Sequence, residues 1–251
     1  MSAVRDPAPT INLREYFVGF YVAETPTLGP SEIHVWHLDL ARGPAEVEAF
    51  SLLLSPDEIQ RAQRFRFEAN RNEFIVCRGT LRALLGSYAN VSPKELRFAY
   101  SEYGRPMLVT ESSDRHLDFN VSHSGGLAML GFARGRKVGL DIEKIRRDFG
   151  TSEIAERFFS EAERSALLDL PQDQRHEAFF RCWTRKEAFI KALGEGLSHP
   201  LDQFDVSLAP DIQAQLLATR PDAREVQRWT MWNIQAPLGY AAALVAESVC
   251  G

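Results

Sequence analysis

The chain has 251 residues, 45% hydrophobic and 25% charged, the make-up of an ordinary globular protein able to bury a substantial core. A formal net charge of −5 excludes a global attraction to nucleic acid or to an anionic membrane surface, so any phosphate recognition must come from a local basic cluster. No apolar run approaches the roughly 20 residues of a membrane span, and the scattered Cys77, Cys182 and Cys250, with no CxxC pair, suit a soluble protein of the reducing cytoplasm.

Residues 1–30 contain Pro7, Pro9, Pro26 and Pro30 and read as a loosely structured lead-in, despite the apolar run FVGFYV. IHVWHLDL then has the β-branched and apolar content of a strand. Ser55-Pro56-Asp57-Glu58 is a capping box with proline at the first helical position, so a helix starts there. A longer helix is expected over 71–89. Its Arg71, Arg78 and Arg82 fall on one side, either as a solvated basic stripe or as a platform for phosphate.

Ser92-Pro93-Lys94-Glu95 gives another start signal before the short strand LRFAY and the turn at Gly104-Arg105-Pro106. The middle of the chain is strand-rich, with LDFNVSH, LAMLGFARG and KVGLDIEKI. The short Arg134-Gly135-Arg136 gap predicts a hairpin between the last two. Helices follow over 151–159, after the capping box Ser160-x-x-Glu163, and over 174–193, closed by Gly194 and Gly196. Strands are expected again near FDVSL, WTMWNI and GYAAALVA. Strand and helix patterns occur in both halves without regular alternation, which favours α+β over a doubly wound sheet.

Two segments can carry chemistry. In Val138-Gly139-Leu140-Asp141-Ile142-Glu143 the strand period of two puts Asp141 and Glu143 on one face, with Leu140 and Ile142 opposite them. Adjacent carboxylates repel unless a cation or a basic group lies between them, and hard oxygen ligands suit Mg²⁺. The alternative is a surface strand with two solvated acids. Gly139 points towards a ligand, because glycine in a strand often marks close backbone approach. In Trp183-Thr184-Arg185-Lys186-Glu187-Ala188-Phe189-Ile190-Lys191, Glu187 and Lys191 are one turn apart at the flank of an apolar stripe. They are either a helix-stabilising ion pair or a third acid and a cation for a phosphate site. Lys186, nearer the apolar side, must snorkel or find an anion.

The succession NVSHSG, VGLDIEKI, RFFS-x-x-E and W-T-R-K-E-A-F-I-K-A-L-G-E-G-L resembles the 4′-phosphopantetheinyl transferases of the surfactin-synthetase-activating type. SPDEIQRAQRF, RNEFIVCRGTLRALLGSY and EYGRPML extend the resemblance over about 55–204. It implies a pseudo-dimer of two similar α+β halves with the active site in the cleft between them. The corresponding organisation is an N-terminal lead-in over 1–30, one subdomain over 31–136 and a second, carrying the metal site, over 137–251.

The implied reaction moves the phosphopantetheine arm of coenzyme A to a serine of an apo acyl or peptidyl carrier protein, with Mg²⁺, and releases 3′,5′-ADP. By motif, Asp141, Glu143 and Glu187 become metal ligands, and Lys191 contacts the diphosphate with Lys186 near it. Ser122 and His123 match the segment that contacts the 3′-phosphate of coenzyme A, and Arg105 and Arg61 match basic positions on the nucleotide. Glu163 matches a glutamate proposed to deprotonate the carrier serine, and it is equally the reciprocal half of the Ser160 capping box. The resemblance also implies a monomer. Residues 149–177, with Arg157, Arg164 and Arg175, are a candidate docking face for an acidic carrier. No nucleophile elbow and no P-loop is present, and none is needed when the reaction runs on electrostatic stabilisation.

Overall fold

A computed structural model describes residues 9–15, 27–109 and 117–248. Within them the chain runs through the same succession twice. The first pass is β2 (Glu32–Asp39), α1 (Pro44–Ser51), α2 (Pro56–Gln63), α3 (Glu68–Ala89), β3 (Arg97–Tyr100), β4 (Pro106–Val109), β5 (Leu117–Ser124) and β6 (Leu127–Arg134). The second is β7 (Val138–Lys144), α4 (Thr151–Phe158), α5 (Glu161–Asp169), α6 (Gln172–Leu193), β8 (Phe204–Val206), β9 (Leu216–Thr219), β10 (Trp229–Asn233) and β11 (Tyr240–Glu247). The main sheets repeat as well: β2-β6-β5 in one half and β7-β11-β10 in the other, all antiparallel. The expected α+β class is thus met in duplicate.

The lead-in contributes more than a loose tail. β1 (Thr10–Glu15) adds to β2 in parallel and makes the first sheet four-stranded. The FVGFYV run and Cys250 lie outside the described residues. The Arg134-Gly135-Arg136 gap is not a hairpin turn. β6 and β7 belong to different sheets, and the gap is the crossing from one half to the other. The tight hairpin is instead β5–β6, turned at Gly125 and Gly126, both at positive φ, where glycine is free of the Cβ clash.

Each long helix is tied to the helix before it by the same device. The capping-box glutamate Glu58 accepts the Ser55 N–H at 3.0 Å and pairs with Arg78 and Arg82 of α3. Both guanidinium groups also lie over the Phe98 ring, at 4.1 and 5.2 Å. Those two arginines are therefore neither a solvated stripe nor a phosphate platform. Only Arg71, paired with Glu68 at 3.2 Å, is on the surface. In the second half Glu163 accepts the Ser160 N–H at 2.9 Å and takes Lys186 of α6 at 2.7 Å.

Each half has its own apolar cluster, and a third lies at the junction between them. There Leu140 and Ile142 of β7 are buried with Ile33, Val35 and Met129. Full burial of such side chains contributes about 1.5–3 kcal/mol each. The alternation in the VGLDIEK strand thus anchors the acidic residues from behind. Among the described residues no helix is long and apolar enough to cross a membrane.

Candidate active site

The site forms where β5, β7 and α6 meet. β5 reaches β7 through side chains rather than through a backbone ladder. Val138, Leu140, Ile142 and Lys144 donate their N–H groups to Asp118 Oδ2 (2.7 Å), Asn120 Oδ1 (2.9 Å), Ser122 Oγ (3.3 Å) and Ser124 Oγ (3.1 Å). The constant offset means the strands run in step, and every second residue of LDFNVSHS is polar because it faces this seam. The seam is the only edge of β7 not taken by β11, so its amides would otherwise be orphaned.

Gly139 sets the distance of α6. A Cβ there would stand 2.1 Å from the Ala188 carbonyl oxygen and 2.4 Å from the Ala192 nitrogen. The close approach that this glycine signals is therefore to helix backbone, not to a ligand. From Ala178 on α6 is largely buried, and Glu187 and Lys191 are half-buried on the side that meets β7.

Asp141 is 3% exposed. Its Oδ1 accepts Lys191 Nζ at 2.6 Å and Ser122 Oγ at 2.8 Å, while its Oδ2 is buried without a hydrogen-bond partner. Glu143 Oε2 accepts Ser124 Oγ at 2.7 Å. Burial pushes the Glu143 carboxyl above the usual range, and the Asp141 charge adds to the shift. Glu187 is pushed up to about 7, first by burial and then by Asp141, with Lys191 opposing and Glu143 adding further. The three acids thus act on one another electrostatically. Among the described residues no three acidic, histidine or cysteine side chains converge into a ready-made cation cage.

Other expected residues fall elsewhere. Lys186 turns away from the site: its Nζ is wholly buried between Glu163 Oε1 (2.7 Å), the Phe204 carbonyl (2.7 Å) and the Phe204 ring (4.1 Å). Glu163, 2% exposed, also accepts the Val206 N–H at 2.8 Å. This corrects the expectation for both: a sealed ion pair can neither hold a diphosphate nor receive a proton from a docked partner. Glu163→Gln leaves the Lys186 charge buried and uncompensated, which costs about 3 kcal/mol and a Tm drop of roughly 6–12 °C in a chain of this size. Activity per folded molecule, measured well below that Tm, should stay within about threefold of wild type. A collapse of turnover at unchanged Tm would return Glu163 to the chemistry.

Arg105 is held differently from expectation. Nη1 donates to the Lys191 and Ala192 carbonyls (2.8 and 3.0 Å), and Nη2 to Asp118 (2.7 Å) and the Val138 carbonyl (2.9 Å). It bolts the end of α6 to β5 and β7, with only Nε left unpaired. Ser122 is buried in the seam, and its strand neighbour His123 points to the exposed side. Arg61 is exposed on α2 with its guanidinium 5.3 Å from the Phe74 ring centre. Ser124, which grips Glu143, was missed at the sequence level. The signal for it was the polar alternation Asp118, Asn120, Ser122, Ser124, interleaved with the apolar Leu117, Phe119 and Val121.

A doubled α+β frame with an acid cluster and a lysine at its seam defines an enzyme site suited to a phosphate-bearing substrate. Residues 137–245 match the family model described as the 4′-phosphopantetheinyl transferase superfamily, and 43–133 match that of a 4′-phosphopantetheinyl transferase N-terminal region. Over 190 residues the chain is 37% identical to the 4′-phosphopantetheinyl transferase HetI of Nostoc sp., covering 76% of this chain and 80% of that one. Over 185 residues it is 33% identical to the 4′-phosphopantetheinyl transferase Sfp of Bacillus subtilis, covering 74% and 80%. The chain belongs to the 4′-phosphopantetheinyl transferase family. It is a transferase, and its reaction is phosphopantetheinyl transfer.

Proposed function

We propose that the donor is coenzyme A, that the acceptor is a serine hydroxyl of an apo acyl or peptidyl carrier protein, and that Asp141, Glu143 and Glu187 hold Mg²⁺ at the seam. The carrier serine oxygen forms the new P–O bond as the bond to the leaving 3′,5′-ADP breaks, and the hydroxyl proton passes to solvent water. The observation that carries this reading is the partnerless, buried Asp141 Oδ2 beside two carboxyls whose ionisation is suppressed by burial and by the Asp141 charge. A lone buried acceptor in an acid cluster is costly unless a cation meets it. Oxygen-only donors fit Mg²⁺, which takes few protein carboxylates and completes its shell from water and substrate phosphate. When bound, Mg²⁺ would supply neutralisation of the charge on the diphosphate.

Lys191, already at the acid cluster, brings a second positive charge to the same place. Arg61, Arg105 and His123 remain proposed contacts of the nucleotide end; for Arg105 this rests on motif alone. Arg157, Arg164 and Arg175 remain the proposed carrier-facing basic groups. Both halves of the cleft come from one chain, so a monomer suffices, and a cytoplasmic location suits the substrates. Incubation with coenzyme A and Mg²⁺ should add about 340 Da, the mass of the transferred arm, to an apo carrier in an intact-mass spectrum, and a chelator should prevent the gain. A panel of apo carriers that all stay unmodified would overturn the reading.

A further inference from the structure

We infer that Ser122 and Ser124 are positioning residues, each aiming one strand carboxylate by gripping a single oxygen and leaving the other for the cation. The inference rests on the reading of Asp141 and Glu143 as cation ligands.

The assignment follows from counting protons. A serine hydroxyl has one proton to give and two lone pairs to receive with. Ser122 Oγ lies within reach of the Ile142 N–H (3.3 Å), the Lys191 ammonium (3.0 Å) and Asp141 Oδ1 (2.8 Å). The first two can only donate, so the single serine proton goes to Asp141. Ser124 repeats the arrangement, receiving the Lys144 N–H at 3.1 Å and giving its proton to Glu143 Oε2 at 2.7 Å. The two serines are two residues apart on β5, as the two acids are on β7, so each hydroxyl meets its own carboxylate. The backbone amides behind the serines fix the direction of both hydroxyls before any ligand arrives.

Two consequences follow. Each carboxylate is turned so that one oxygen is spent on the protein, and at Asp141 the remaining one is the partnerless Oδ2. And Ser122 has no proton left for a phosphate of the donor. It acts on the donor only through Asp141 and Lys191, which separates it from a nucleotide-binding role.

Mn²⁺, a paramagnetic stand-in for Mg²⁺, can be titrated into the full-length chain and followed by electron paramagnetic resonance, without turnover. Ser122→Ala and Ser124→Ala should each raise the Mn²⁺ Kd about tenfold, the usual scale for losing a group that orients a metal ligand. Ser124→Thr, which keeps the hydroxyl, should restore most of the affinity, and the KM for coenzyme A should stay within about twofold in both alanine variants. Circular dichroism confirms that each variant is folded, and Ser124, half-buried at the end of β5, serves alone if Ser122→Ala fails to fold. Unchanged Mn²⁺ affinity in a folded Ser124→Ala variant overturns the inference. So does a raised KM for coenzyme A at constant Mn²⁺ affinity in Ser122→Ala. Wild-type protein that neither binds Mn²⁺ nor modifies any carrier removes the cation reading itself, a result distinct from wild-type binding that the serine variants leave untouched.

Discussion

Asp141→Asn is expected to reduce carrier modification at least roughly 100-fold while the protein stays folded. Asparagine keeps an oxygen for the Ser122 hydroxyl, so the seam contact survives. What it removes is charge: the attraction that holds Lys191 Nζ at 2.6 Å, and one anionic ligand for the cation. Repulsion between adjacent carboxylates would by itself let Asp141 be truncated to alanine with little loss of folding stability. The structure changes that balance, because Asp141→Ala would also strand Lys191 and Ser122. Asparagine is therefore the cleaner substitution. The decisive measurements are single-turnover rate against Mg²⁺ concentration and Tm in chelator. More than a tenth of wild-type turnover at saturating Mg²⁺ would remove Asp141 from the cation site.

Gly139→Ala should damage fold and activity together. The added methyl would stand 2.1 Å from the Ala188 oxygen and 2.4 Å from the Ala192 nitrogen, both backbone atoms in the buried stretch of α6. No flexible side chain can yield, so α6 must lift off β7 or the strand must bend. Overpacking of this kind costs about 3 kcal/mol or more. The same displacement carries Glu187 and Lys191 away from Asp141, so the remaining folded molecules should also lose activity and cation affinity. A Gly139→Ala protein with wild-type Tm and rate would mean that α6 does not lie where the structure has it.

Much of the site was legible from local pattern. Period two placed Asp141 and Glu143 on one face with Leu140 and Ile142 behind them. The wheel put Glu187 and Lys191 one turn apart, and the two capping boxes fixed where α2 and α5 begin. These signals sit within a few residues of one another, so backbone geometry alone produces them. What failed was whatever a distant partner decides. Lys186 needed an anion, but nothing nearby in the chain said that Glu163 would supply it from inside the core. Gly139 announced a close approach without naming the helix that makes it. Arg105 reaches carbonyls 86 and 87 residues later in the chain, a contact no periodicity encodes. The Arg134-Gly135-Arg136 gap was misread for the same reason: its length suits a hairpin, and only the partner strand β11 shows that β7 belongs to another sheet.

The doubled frame has an unequal outcome. Trp36 faces Leu130 across β2 and β6 as Asp141 faces Ala243 across β7 and β11, the fourth residue of β6 and of β11 respectively. By that register Trp36 and Leu38 hold, in the first half, the stations that Asp141 and Glu143 hold in the second. Both are buried in the apolar cluster of their half. One set of stations is given to cohesion and the other to the acid cluster, so on the proposed reading two scaffolds carry one cation site among the described residues.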